Sequence, residues 1–206
     1  MPNTTNYSFP TPADTDLVKN GADAIRDLGD AVDTAMNTAL GTKKAGMVLL
    51  NTTSFSAVAS QSLNNVFSAT YENYRLVLRC TSSTNQAVNF RLRASGSDNS
   101  TTNYDYQDIS ADNTSLSGSR STSQTSGLFA MAGAGSSSTH WNITTIDITN
   151  PFEALKTSSI AHGNYAAGPL LRIITNIHNV ATSFDGITFF VGGTITGSIS
   201  VYGYNK

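Results

Sequence analysis

Three histidines, fourteen carboxylates and one thiol are the side chains in this sequence that acid–base, metal or nucleophilic chemistry would have to use. His140, His162 and His178 fall in separate apolar bursts, without the close spacing that presents imidazoles to one ion, so no transition-metal site is expected. The carboxylates after the first quarter of the chain (Glu72, Asp98, Asp105, Asp108, Asp112, Asp147, Glu153 and Asp185) show no spacing that singles out an acid and a base for glycoside cleavage. Cys80 lies inside the alternating run Tyr74-Arg-Leu-Val-Leu-Arg-Cys-Thr81, which reads as a core thiol rather than a nucleophile, and a single cysteine cannot form an intrachain disulfide. No nucleophile elbow, Walker loop, paired-histidine zinc motif or EF-hand pattern is present. Gly192-Gly193 with Gly197 reads as a turn followed by a strand, not as a phosphate cradle opening a helix. The sequence argues against an enzyme and requires neither cofactor nor metal.

Binding is better served. In Asn103-Tyr104-Asp105-Tyr106 aromatic rings alternate with short polar groups beside a long polar stretch. Tyrosine rings pack on the apolar faces of sugars while Asn and Asp take up hydroxyl hydrogen bonds, so these four residues are the candidate glycan-binding patch. The competing reading is that Tyr104 and Tyr106 point into a core. Trp141, in His140-Trp-Asn-Ile-Thr-Thr-Ile146, is expected inside.

The elements that would carry such a patch divide the chain in three. Residues 1–13 are polar, with Tyr7, Phe9, Pro10 and Pro12, and read as an extended arm. Residues 14–41 read as a stalk helix. They carry a seven-residue repeat with Val18, Ile25, Val32 and Ala39 on one line and Gly21, Leu28 and Ala35 on the next. Thr11-Pro12-Ala13-Asp14 offers an N-cap, a first-turn proline and a carboxylate at the positive end of the dipole, and Gly41 fits the carboxyl end. Every charge falls on the far side, where Lys19 with Asp23 and Arg26 with Asp30 are spaced as i,i+4 pairs. Ala22, Ala24, Gly29, Ala31, Met36 and Thr38 flank the two apolar lines, giving a broad stripe of small residues that suits three or more close-packed helices. A coiled coil between copies is therefore expected, the alternative being a helix laid on its own β domain.

Residues 46–206 are different in kind. They hold eight acidic and eight basic side chains among many Ser, Thr, Gly and Asn, and their apolar residues come in short, mostly alternating bursts. That composition predicts nine to eleven strands in an antiparallel β-sandwich, with a jelly roll as first choice, making the chain mainly β. The polar stretches Ser95–Asn103, Ser110–Ser126 and Ala132–Thr139 read as long exposed loops, and Asn150–Leu155 as a connection containing one helical turn. A net charge of -2 offers no footprint for nucleic acid. No apolar run is long enough to span a membrane and no secretory signal is recognisable, so insertion into a membrane is not expected.

The segment Tyr7-Ser-Phe-Pro-Thr-Pro-Ala-Asp-Thr-Asp-Leu-Val-Lys-Asn-Gly-Ala-Asp-Ala-Ile-Arg-Asp-Leu-Gly-Asp-Ala-Val-Asp33 resembles the N-terminal segment recurrent in minor tail and tail-fibre proteins of tailed bacteriophages. Gly193-Thr-Ile-Thr-Gly-Ser-Ile-Ser-Val-Tyr-Gly-Tyr204 is similar to the closing strands of β-rich phage appendage proteins, and Tyr74–Leu78 and Phe90–Ala94 to their middle strands. The resemblance implies a homotrimer in the virion, assembled in the host cytoplasm, with the N-terminal arm (Tyr7, Phe9, Pro10, Pro12) on other virion proteins and the β domain distal, placed for receptor binding. A capsid decoration protein that contacts the shell through its β domain, or a free carbohydrate-binding module, would use the same parts.

Overall fold

The computed structural model describes residues 4–5, 7–11, 17–41, 46–132, 141–165 and 170–205. They fall into two compact units, Met1–Gly46 and Met47–Lys206.

In the first unit the described part of the arm turns back on itself, Thr4 meeting Ser8 and Phe9, rather than running extended. The Thr4 N–H donates to the Phe9 carbonyl at 2.9 Å, the Ser8 N–H to the Thr4 carbonyl at 3.0 Å and the Phe9 N–H to Thr4 Oγ1 at 3.0 Å. Ser8 turns the chain with φ 54°, and the Tyr7 and Phe9 rings stack at 5.6 Å. Local hydrogen bonds thus compete with the extended backbone that the prolines favour. Pro12 and the rest of the expected N-cap sequence through Asp14 lie outside the described residues.

The helix starts later than its heptads suggest. Leu17 is extended, Val18–Asn20 form a 3-10 turn, and the α-helix α1 covers Gly21–Gly41. Val, Asn and Gly are poor helix formers, so the first turn winds as a 3-10 segment instead of extending the α-helix back to residue 14. At ~1.5 Å per residue α1 is about 32 Å long, shorter than the expected stalk. Arg26 pairs with Asp23 one turn back rather than with Asp30, and the side chain of Lys19 lies outside the described residues. The apolar stripe stands open: Val18 is 96% exposed, Ile25 69% and Met36 54%, while Gly21, Leu28, Val32 and Ala35 are half-buried and Ala39 is exposed.

The second unit contains eleven strands among the described residues, all paired antiparallel. They are β1 (Met47–Leu63), β2 (Asn73–Ser82), β3 (Gln86–Ala94), β4 (Ser97–Asp98), β5 (Tyr104–Asp112), β6 (Ser115–Gln124), β7 (Gly127–Ala132), β8 (Asn142–Thr149), β9 (Thr157–Tyr165), β10 (Leu170–His178) and β11 (Gly186–Tyr204). One hydrogen-bonded path runs β4-β3-β11-β2-β8-β9-β10-β5-β6, with β1 also on β11 and β7 on β3. Among the described residues the chain is mainly β, a curled antiparallel sheet with one α-helix. Alternation writes the inner face: Tyr74, Leu76, Leu78 and Cys80 of β2 and Ile146 and Ile148 of β8 are buried.

The curl is made by β11. Its first half, Gly186–Phe190, pairs with β3, and its second, Ile195–Gly203, with β2. Gly192 and Gly193 sit at the corner within the one strand, so they are not the turn that the sequence suggests. A side chain at Gly193 would begin 2.7 Å from Ser83 Oγ and 2.8 Å from the Thr84 side chain, so glycine lets the β2–β3 connection close over the bend without moving those side chains. The accompanying strand β1 absorbs the bend through register shifts between Leu49 and Asn51, Phe55 and Val58, and Val58 and Ser60. Curling brings β7 face to face with β9 and β10. There Asn176 of β10, buried, accepts the Leu128 N–H at 2.8 Å and donates to the Leu128 carbonyl at 2.9 Å. A single side chain thus stands in for a strand partner on both polar groups of one β7 residue. Phe129 and Phe189 meet in the core at 4.8 Å, with Phe90 against Phe129.

Several expected loops and core positions change. Ser110–Ser126 is not a loop: it completes β5, turns, and returns as the exposed edge strand β6. Its hydroxyls pair across the ladder, Ser110 with Ser117 at 2.8 Å and Ser119 with Asp108, so polarity marked an edge strand and not irregular chain. Ser95–Asn103 includes β4, and 151–155 is a series of bends without a helical turn. Ala132 ends β7, and the stretch 133–139 lies outside the described residues. Trp141 is half-buried beside the Arg79 guanidinium, 3.9 Å over its ring, because the inward phase of β8 belongs to Asn142, Thr144, Ile146 and Ile148.

Candidate binding face

The Asn103–Tyr106 segment opens β5, and the period of two places both tyrosines on its inner side. Tyr104 is 0% exposed; its hydroxyl accepts the Leu92 N–H and donates to the Asn99 carbonyl, both at 3.0 Å, and burial pushes its pKa up to about 12. That ring is closed to a sugar. Tyr106 is half-buried against the core. Asp105 points the other way, accepting the Ser123 N–H at 2.8 Å and the Asn179 amide at 2.6 Å, bonds that hold its carboxyl below the usual range. Asn103 donates to Thr101 Oγ1 at 2.8 Å. The four residues therefore do not form one patch, and the alternation that suggested them is what divides them.

The outer face of the sheet offers more. Direct pairing sets Arg75, Asp147, Ile160, Thr175, Gln107 and Arg120 in one row across β2, β8, β9, β10, β5 and β6. Next to it runs Thr149, Ser158, Ile177 and Asp105. A groove of about 650 Å³ lies over one end of these rows, walled by Tyr204, Asp147, Asn73 and Thr149, with Ile160 and Ile177 exposed along it. A shallower depression of about 230 Å³ lies over the other end, against Asp105, Gln107 and Arg120, and shares Thr175 and Ile177 with the first.

Asp147 is the best-held group on this face. Its Oδ1 accepts Arg75 Nε at 2.8 Å and the Tyr204 hydroxyl at 2.9 Å, and its Oδ2 accepts the other arm of the guanidinium at 2.6 Å. The bidentate bond to Arg75 lowers the Asp147 pKa, with Tyr204 adding to it, and raises that of Arg75. Burial first, then the bond to Asp147, raises the Tyr204 pKa. Tyr204 is thereby fixed as a side wall. Ser159, between the buried Thr157 and Ala161, is on the inward phase of β9, and its hydroxyl is buried without a hydrogen-bond partner among the described residues.

Sequence reasoning missed this face, although a signal was present. Ile160 and Ile177 occupy outward phases of β9 and β10 beside polar outward neighbours, Ser158 and His162 for the one and Thr175 for the other, and both are exposed. No group of three or more His, Cys, Asp or Glu is placed to hold a metal among the described residues. His162 is exposed on β9, His178 is buried on β10, and His140 lies outside the described residues. No described helix is long and apolar enough to cross a membrane. The Cys80 thiol is buried, which pushes its pKa up to about 12.

No family model matches the chain, and no curated protein does. Among solved structures, a β-fructofuranosidase from Schwanniomyces occidentalis complexed with fructosyl-erythritol aligns at 9% identity over 79% of this chain, with a TM-score of 0.20. The chain spans 35% of that enzyme's length. The CBM2 module of the evolved Dit of Lactobacillus casei BL23 phage J-1 aligns at 7% identity over 80% of this chain and 93% of the module, with a TM-score of 0.19. Superposition this loose carries no argument about fold or activity.

Proposed function

We propose that this chain is a bacteriophage virion structural protein, a homotrimeric tail or head fibre or appendage. Residues 1–13 dock on other virion proteins, the 3-10 turn and α1 trimerise as a coiled coil through Val18, Gly21, Ile25, Leu28, Val32, Ala35 and Ala39, and the β unit, a jelly-roll-like sandwich in its packed layers, projects towards a host-surface glycan. The open stripe of α1 is the observation that carries this reading. Val18, Ile25 and Met36 remain exposed in the single chain, and α1 has a broad apolar line with its charges on the far side. Such a helix gains stability when copies bury that line. The N-terminal resemblance supports the virion setting, and the matched charges and hydroxyls of the outer face suit recognition rather than catalysis. Light scattering on the intact chain tests it: three times the 21.7 kDa chain mass is expected, and a stable species of 21.7 kDa removes the trimer and with it the appendage.

A further inference from the structure

We propose that the two connected depressions on the outer face, from Tyr204 to Arg120, form one trough that binds an uncharged, linear oligosaccharide lying across the strands. This rests on the reading of the β unit as the glycan-facing part of the protein and names the surface and the ligand class. The trough crosses β11, β2, β8, β9, β10, β5 and β6, six strand spacings or ~29 Å, a length suited to an extended chain rather than a compact cofactor.

Its chemistry alternates as a sugar's does. Ile160, Ile177 and the fixed Tyr204 supply apolar surface for C–H faces. Thr149, Ser158 and Thr175 supply hydroxyls between them. Charge selects against ionic ligands, because both carboxylates are matched. Asp147 is held by Arg75 in an ion pair, Asp105 is held by the Ser123 N–H and the Asn179 amide, and Arg120 stands beside it, so the trough carries as many cations as carboxylates. An acidic polymer would have to break the Arg75–Asp147 pair and approach the Asp105 carboxylate, whereas a neutral one keeps these contacts and uses spare lone pairs of the carboxylates. Tyr104 takes no part in the trough, since its ring belongs to the core.

The test is retention of the intact, labelled chain on an array carrying neutral and anionic bacterial oligosaccharides, with native mass recorded for every variant. Retention on neutral linear glycans is expected. Ile160→Glu and Tyr204→Ala should each weaken it about tenfold or more, as loss of an aromatic or apolar contact at a sugar face does. Ile143→Ser, off the trough on the same face, should leave it unchanged. Retention on anionic glycans alone, no retention at all, or equal retention by both trough variants overturns the proposal. So does an Ile160→Glu chain of lower mass than the parent, which makes the trough a contact between copies. A trimer that retains no glycan defeats the trough and leaves the virion reading standing; a monomer that retains glycan does the reverse.

Discussion

Ile199 of β11 and Ile25 of α1 are the same side chain in opposite circumstances. Ile199 is enclosed by the curled sheet, while Ile25 faces solvent. In the β unit each alternating strand finds its cover within the chain, through the bend at Gly192-Gly193 and the Asn176 clamp on Leu128. A single helix has no such means of covering its own stripe. The contrast teaches that Met47–Lys206 has the interior of a self-sufficient domain, whereas Gly21–Gly41 leaves most of an apolar stripe exposed.

The comparison breaks most easily in the core of the β unit. Phe129→Ala, which empties the ring cluster with Phe90 and Phe189, should cost about 3–5 kcal/mol in urea unfolding. A loss under 1 kcal/mol would mean that the layers facing each other at Phe129 are not packed. Asn176→Ala should cost about 2–4 kcal/mol, because it leaves the buried N–H and carbonyl of Leu128 unpaired together. Faster amide exchange should then appear in β7 first.

Acid sharpens the picture through His178. Burial lowers its pKa in the fold, and its Nδ1 lies 3.1 Å from the Val180 carbonyl. The unfolded chain therefore takes up a proton near the ordinary value of 6.5 while the folded chain does not. Stability is complete above that pH, declines as pH falls from 6.5 to the depressed folded value, and levels off below it. Asp105 and Asp147, also depressed, act separately, losing their contribution only below the ordinary carboxylate value of 3.8. Urea midpoints measured between pH 7 and pH 5 should slope in the native chain and flatten in His178→Gln. The smallest effect belongs to the edge: Ser117→Ala on exposed β6 should change stability by no more than about 0.5 kcal/mol.

Much of the β architecture was legible because alternation is a local signal. The runs around Leu76, Phe90, Ile146 and Ile199 read directly as strands with one buried face. Ser115–Gln124 was not legible as a strand, since an edge strand with both faces wet has no apolar period to show. The middle of β1, Asn51–Gln61, was hidden for a related reason: its bulges break the period of two. The trough depends on which residues of distant strands stand side by side, as Asp147, Ile160 and Thr175 do, and that register is not written in any one segment. Tyr104 shows the opposite case. Its burial followed from phase alone once β5 had a core to face.

The claim that α1 is an interface and the β unit is not is tested most directly by sedimentation equilibrium of the intact chain beside Ile25→Glu, with the thermal unfolding of each recorded. The account predicts a native mass three times 21.7 kDa, a variant of 21.7 kDa, and the same β-unit transition in both. A native chain that sediments as a monomer, or a variant that keeps the native mass, contradicts it.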